Sequence, residues 1–346
     1  MIASITLILA SIVLWSVPLA ILFSPDNMIQ WGLIVLLTPV LLLGFHYRQS
    51  LDVGWRAGII GILLAVVLAY GLNSVRLMRW NVIHPPEWDF QLFWLFGRVA
   101  VQGLNPYEPE HLRQLAQVLN PTDDLLAELY FFHSPPTLFL FAPLGWFDIH
   151  TAYLVWYLGH SMILILDIVL LWKIFQSDSG LLGLALTAAL VLMLRATLST
   201  IAFGQVNFLV LLLLLLFWCD RERKRGGIWL ALGIIVKPVL VFLLIYLLLR
   251  RHWRVIASTF VTLATVSILT IIVFGPVMFF SYFFANPIVY DMPDYLYTEP
   301  INQSLLATIL RVTQYDFSHT SPLFQPIFIF LTLILTGITE IGRAHV

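Results

Sequence analysis

The chain has 346 residues, 60% of them hydrophobic and 11% charged, with a mean hydropathy of +0.92 and a formal net charge of −1. Soluble domains carry about a quarter of their residues charged, so this composition excludes a single water-soluble core. The charge balance excludes an electrostatic footprint for nucleic acid, and the single cysteine, Cys219, excludes an intramolecular disulfide.

A membrane span needs about 20 apolar residues, because about 30 Å of hydrocarbon is crossed at about 1.5 Å per residue. Ile2 to Phe23 meets that length, Met28 to Phe45 nearly does, and Ala57 to Leu72 follows. The first run lacks a basic flank and a small-residue cleavage site, so it reads as a retained span. Ser24-Pro25-Asp26-Asn27 carries no basic residue, whereas the next turn holds His46, Arg48 and Arg56. Positive-inside bias then puts the N-terminus and the Arg48 turn in the cytoplasm, and the segment after the third span outside. Arg76 and Arg79 fall in that outer segment against the bias.

The outer segment, residues 73–134, is the long polar-rich region. Phe90, Phe93, Trp94 and Val101 form one face of an amphipathic stretch and Gln91, Arg98 and Gln102 the other, the pattern of an interfacial helix. Gly103 can cap it and Asn105-Pro106 turns the chain away. A second helix is predicted from Pro109 to Leu119, stopped by Asn120-Pro121. Beyond it, apolar segments cover roughly 137–147, 152–172, 181–194, 208–218, 228–236, 239–249, 255–274 and 326–338. The first of these could be re-entrant. Cys219, ending a leucine run, is expected to be a small buried apolar residue.

The basic clusters Arg221-Glu222-Arg223-Lys224-Arg225 and Arg250-Arg251-His252-Trp253-Arg254 both look cytoplasmic. One straight helix between them would put its ends on opposite sides. A hairpin of two short helices with Lys237-Pro238 at its tip is the favoured alternative, since Pro238 removes a helical hydrogen bond and short broken helices line cavities. A second outer loop is expected over residues 276–304. The expected organisation is one polytopic membrane domain, residues 1–339. Glu340 to Val346 back-translates to a common sequencing adapter, so residues 340–346 read as foreign and the native chain is expected to continue.

Asp89 leads the candidate functional residues. A carboxylate where a membrane protein meets water can act as a general base, and an aspartate opening a helix is also an ordinary N-cap. Neither reading excludes the other. The capping-box partner is missing, because Leu92 occupies the third helical position. His84, Glu87 and Asp89 have a spacing that fits no specific metal site, so no metal and no cofactor is expected. Lys237 lies inside an apolar stretch, where an ammonium costs about 2.5–3.5 kcal/mol; it either faces a partner or cavity, or snorkels from a helix end. Arg195 invites the same argument. Gln205 and Asn207 could bind sugar hydroxyls or join helices. His133 could bind phosphate or face water. Asn302 and Arg311 follow the Tyr-rich stretch 286–300.

In order, Asp89-Phe90, Gly103-Leu104-Asn105-Pro106-Tyr107, His133-Ser134-Pro135-Pro136, Gly204-Gln205-Val206-Asn207, Lys237-Pro238 and Asn302-Gln303-Ser304 resemble glycosyltransferase family 87. The resemblance implies an all-α, polytopic transmembrane bundle of the GT-C type, with an extracytoplasmic loop carrying interfacial amphipathic helices. It implies an inverting transferase that moves a hexose, mannose first, from a polyprenyl-phosphate donor to a lipid or glycan acceptor outside the cell. Asp89 would be the general base, Lys237 with Arg195 or His133 would face the phosphate, Gln205 and Asn207 the sugar, and Asn302 would complete the substrate set. The absence of a soluble nucleotide-binding domain suits a lipid-linked donor. The alternatives are a secondary transporter or lipid flippase, and a lipid-linked polysaccharide polymerase or ligase.

Overall fold

The computed structural model describes residues 53–84, 89–116, 133–175, 178 and 180–284, all within one compact unit, Met1–Asn286. The expected first two spans, the loop 117–132, Asn302, Arg311 and the C-terminal segment lie outside the described residues. What is described is helical, with no strand among the described residues.

α1 (Val53–Ile83) contains the predicted span Ala57 to Leu72 and runs on through residues 73–83, which were expected in the outer loop. Its sequence holds no Pro, which would remove a helical hydrogen bond. α2 (Asp89–Val101) follows. It ends as predicted at Gly103, whose φ of 74° lets the Gly103 and Leu104 amides bond back to the Ala100 and Val99 carbonyls. α3 (Pro109–Ala116) begins on its proline.

Residues 135–146 form a broken string: a 3-10 turn at Pro135–Thr137, α4 (Leu138–Phe141) and a second 3-10 turn at Ala142–Trp146. Its start hydrogen-bonds the end of α9 and its finish accepts from Trp94, so the string leaves and returns at one end of the bundle. α5 (Ile149–Phe175) is opened by Asp148, which accepts from the His150 and Thr151 amides. α6 (Gly180–Met193) and α7 (Arg195–Phe203) meet at an extended Leu194, and from Ala196 on the two axes differ by 59°. Thr197 Oγ1 donates across the break to the Val191 carbonyl, which also accepts from the Leu194 amide.

α8 (Asn207–Cys219) and α9 (Lys224–Val236) form an antiparallel pair around Asp220, which holds Arg223, Arg225 and Trp229 Nε1. After Lys237 the chain reverses through a 3-10 turn, Pro238–Phe242, into α10 (Leu243–Leu249). Leu240 packs so closely on Gly233 that a Cβ there would lie 2.8 Å from its Cδ1. Seven residues of straight helix would separate them by about 10 Å, so the hairpin forms and the straight-helix alternative is set aside. α11 (Trp253–Phe274) then returns along α9, with Gly227 against the Val255 carbonyl, and α12 (Pro276–Phe284) closes the described chain over residues expected in the second outer loop.

α5 and α11 are each long and apolar enough to cross a membrane, and the bent α6–α7 pair makes a third if it is one span. Their exposed side chains, such as Leu158, Met162 and Ile165 on α5 and Val261, Ile268 and Ile272 on α11, are apolar. The fold is an all-α membrane fold. Its core is aromatic: Phe90, Phe93 and Phe96 of α2 pack with Phe141, Tyr153 and Trp156.

Two expectations change. α2 is enclosed on more sides than its amphipathic pattern implies, since Leu95, Gly97, Val99 and Ala100 are buried as well. The reason is Gly97, which lets the Phe141 carbonyl approach to where a Cβ would stand. Cys219 is exposed rather than buried, because it sits at the last turn of α8 where the leucine run has already ended. Asp167, a residue the sequence pattern did not single out, is fully buried on α5 and neither carboxyl oxygen has a partner among the described residues.

Candidate active site

Three chain segments converge at the end of the bundle where α1 finishes and α5 begins. α2 supplies Asp89 in its first turn. The Gly204–Asn207 turn between α7 and α8 supplies Gln205 and Asn207. The hairpin tip supplies Lys237.

Local chemistry sets each position. Gly204 closes α7 in the left-handed region, with φ of 67°, and its amide bonds to Thr200. A Cβ on Gly204 would meet Phe90 Cβ at 2.7 Å, so only glycine allows this turn to lie against the residue following Asp89. Trp156 Nε1 clamps the turn by donating to the Gly204 carbonyl at 2.8 Å. Asn81 of α1 adds bonds from Nδ2 to the Ile201 and Ala202 carbonyls and to Tyr153 Oη. α2 is fixed by Arg98 to the Gly145 carbonyl at 2.7 Å and Trp94 to the Phe147 carbonyl at 3.0 Å. Lys237 is placed by the abrupt end of α9, its amide making the last helical bond to Gly233.

The four side chains form one directed hydrogen-bond chain. Lys237 Nζ donates to Asn207 Oδ1 at 2.6 Å; Asn207 Nδ2 donates to Gln205 Oε1 at 2.7 Å and to Thr200 Oγ1 at 3.1 Å; Gln205 Nε2 donates to Asp89 Oδ2 at 2.9 Å. Every link runs from the ammonium toward the carboxylate. An ammonium only donates and a carboxylate only accepts, so the two ends dictate which way both amides face. Bonds polarised in one direction reinforce one another.

The carboxyl of Asp89 is used on one side only. It makes no hydrogen bond to its own first turn, so it is not an N-cap, and Oδ1 has no partner among the described residues while remaining unsealed. Burial raises its pKa above the ordinary aspartate value; the Gln205 bond and the Lys237 charge pull it back down. The positive end of α2 favours the ionised form as well. The result is a half-buried carboxylate more basic than usual, with one oxygen available.

His133 lies beside this chain. Nδ1 is 3.2 Å from the Val236 carbonyl, so Nδ1 carries the proton. Burial lowers its pKa to about 4, against the effect of that bond and with help from Lys237. The ring is therefore neutral at pH 7, and the neighbouring Ser134 Oγ donates to the Ile235 carbonyl at 3.1 Å. Together they hold the last turn of α9, and hence Lys237. The Asn105-Pro106-Tyr107 motif supports them from the other side. Asn105 Oδ1 accepts from the Tyr107 amide, Asn105 Nδ2 donates to Ser281, and the buried Tyr107 hydroxyl donates to the His133 carbonyl. Burial pushes that phenol pKa well above its usual value.

The structure thus joins Asp89, Gln205, Asn207 and Lys237 directly and puts His133 behind Lys237. Arg195 opens α7 at the bend of the α6–α7 pair, away from the turn at the other end of that helix. Asn302 lies outside the described residues. Thr200, Trp156 and Asn81 are supports the sequence reading missed. Only Asn81 had a local signal, as a polar residue within a membrane-length helix.

An all-α membrane fold with a carboxylate and an ammonium linked by two amides defines a membrane protein with a polar cluster at one end of an apolar bundle. The model of glycosyltransferase family 87 matches residues 131–341, more than half of the chain, and the chain belongs to that family. It thus combines an all-α membrane fold with membership in a family of glycosyltransferases. The match takes in His133, Gln205, Asn207 and Lys237 and begins after Asp89. An alpha-(1->3)-arabinofuranosyltransferase of Corynebacterium glutamicum is 27% identical over 134 residues, 36% of this chain and 31% of that protein. The chain therefore matches about a third of that relative's length. No solved structure matches.

Proposed function

We propose that the chain transfers a sugar from a polyprenyl-phosphate donor to a hydroxyl of a lipid or glycan acceptor, with Asp89 as general base. The observation that carries this reading is the directed chain from Lys237 to Asp89. Asp89 Oδ1 takes the acceptor proton as the acceptor oxygen attacks the anomeric carbon. The bond from that carbon to the phosphate oxygen breaks, and the phosphate leaves with the electron pair. Attack opposite the leaving group inverts the anomeric centre, as in inverting hydrolases. The exposed ammonium of Lys237 stands where it can neutralise the departing lipid phosphate, and charge pairs gain strength in a low-dielectric site. Gln205 and Asn207 lie between them, where sugar hydroxyls would pass. His133 positions Lys237 through the main chain; Asn302 completes the proposed substrate set, and Arg195, at the far end of α7, is left out of it.

Charge supports an extracytoplasmic site in a multi-pass protein. Arg221 to Arg225 and Arg250 to Arg254 gather at one end of the bundle, where Gly227 meets Val255, and Lys173 ends α5 there. Asp89 and Lys237 occupy the other end, and basic clusters face the cytoplasm.

Mannose is the first sugar to test, on the motif resemblance. Arabinofuranose is the second, on the name of the corynebacterial relative. The test incubates purified full-length protein with polyprenyl-phosphate mannose or arabinofuranose and an envelope lipid extract, and reads products by mass spectrometry. A glycosylated product with release of polyprenyl phosphate is expected. Turnover only with nucleotide sugars, or transfer of whole oligosaccharides, would overturn the donor assignment.

A further inference from the structure

α1 carries a surface that the reaction centre does not use. Leu64, Leu68, Leu72 and Val75 are exposed along one side of the helix, and the same stripe continues as Arg76, Arg79, Trp80 and Ile83. These positions recur every three to four residues, so they line one face. The stripe is apolar for about three turns, then basic and aromatic for two. Asn81 faces the opposite way, into the bundle.

Arg76 and Arg79 are exposed and have no ion pair or hydrogen bond among the described residues. With Leu77, Trp80 and Ile83 they form one open surface along the last two turns of α1. Both arginines sit at the Asp89 end of the bundle, apart from the two basic clusters. Solubility does not explain two guanidinium groups with no partner among the described residues, beside an exposed tryptophan on a helix this apolar. A phosphorylated lipid has the same order of chemistry as the stripe: hydrocarbon, then phosphate at the depth of interfacial tryptophans. Guanidinium groups match phosphate oxygens in a planar fork.

We propose that this face of α1 binds an anionic phospholipid of the leaflet at the Asp89 end, its phosphate on Arg76 and Arg79 and an acyl chain along Leu72 and Leu68. The site is separate from the donor site at Lys237. It has a route to the reaction centre, because Asn81, on the same two turns of α1, holds the Ile201 and Ala202 carbonyls just before the Gly204–Asn207 turn. Occupancy of the stripe steadies the helix that steadies that turn.

The experiment uses the full chain purified from membranes, reconstituted in nanodiscs of phosphatidylcholine with or without phosphatidylglycerol. Lipid retained after detergent washing is measured by native mass spectrometry for wild type, Arg76→Gln/Arg79→Gln, and Arg113→Gln as a basic-residue control elsewhere on the surface. Wild type and the control should keep phosphatidylglycerol over phosphatidylcholine. The double variant should lose about twenty-five-fold of that preference, the product of about fivefold per arginine. Equal retention by all three proteins overturns the proposal. So does full displacement by millimolar inorganic phosphate, which marks a simple anion site, or by polyprenyl phosphate in preference to phosphatidylglycerol, which assigns the surface to the donor. A thermal unfolding scan separates lost binding from lost folding: a double variant that unfolds like wild type and keeps its phosphatidylglycerol refutes the site.

Discussion

Replacing Asp89 with Asn removes a charge while keeping the shape. The Asn Oδ1 can accept the bond that Gln205 Nε2 now gives to Asp89 at 2.9 Å, so the chain back to Lys237 survives. A hydrogen bond to a charged group contributes about 1.5–3 kcal/mol and a neutral one about 0.5–1.5, so the contact weakens by about 1 kcal/mol. Burial acts in the opposite sense, since desolvation is the largest influence on this carboxyl and a neutral amide escapes it. The two effects oppose each other, and stability should change by less than about 1 kcal/mol. Catalysis has no such offset. An amide cannot take the acceptor proton, and loss of a general base costs about a hundredfold to ten-thousandfold in rate. That corresponds to about 2.7–5.4 kcal/mol of barrier at about 1.36 kcal/mol per tenfold. The assay pairs thermal unfolding, followed by tryptophan fluorescence, with single-turnover transfer from a labelled polyprenyl-phosphate sugar. A folded Asp89→Asn protein with wild-type turnover refutes the base assignment. A protein that loses stability and turnover together shows that the carboxylate is structural.

Two further outcomes follow from the same geometry. Gln205→Leu removes a bond that lowers the Asp89 pKa; a base works when ionised, so activity falls as pH drops through that pKa, and the acidic limb of the pH–rate profile should move to higher pH in the variant. An unmoved limb would mean that another group sets it. Asp167→Leu removes a fully buried carboxyl with no partner among the described residues. An unpaired polar group in that position costs about 1–3 kcal/mol, so the variant should unfold at a higher temperature with transfer unchanged, whereas lost transfer in a folded protein would give Asp167 a functional part.

Composition and local pattern decided the class of this protein. Apolar runs of membrane length, with Pro and Gly at their breaks, allow only helices, because backbone groups in hydrocarbon must be satisfied within the segment. For the same reason the helix starts and stops at Pro109, Gly103 and Pro238 could be read residue by residue. The polar residues Asp89, Gln205, Asn207 and Lys237 stood out as costly exceptions in apolar surroundings. Their connection did not. Gln205 reaches a partner 116 positions away and Lys237 one 30 positions away, and no periodicity carries such distances. Asp89 at a helix start looks like a cap until packing brings an amide to its carboxylate. Lys237 could lie on a straight helix until Leu240 is seen against Gly233. Direction in the hydrogen-bond chain arises only when its two charged ends are both in place, since each amide can face either way on its own. That is a property of the packed fold, and local sequence cannot encode it.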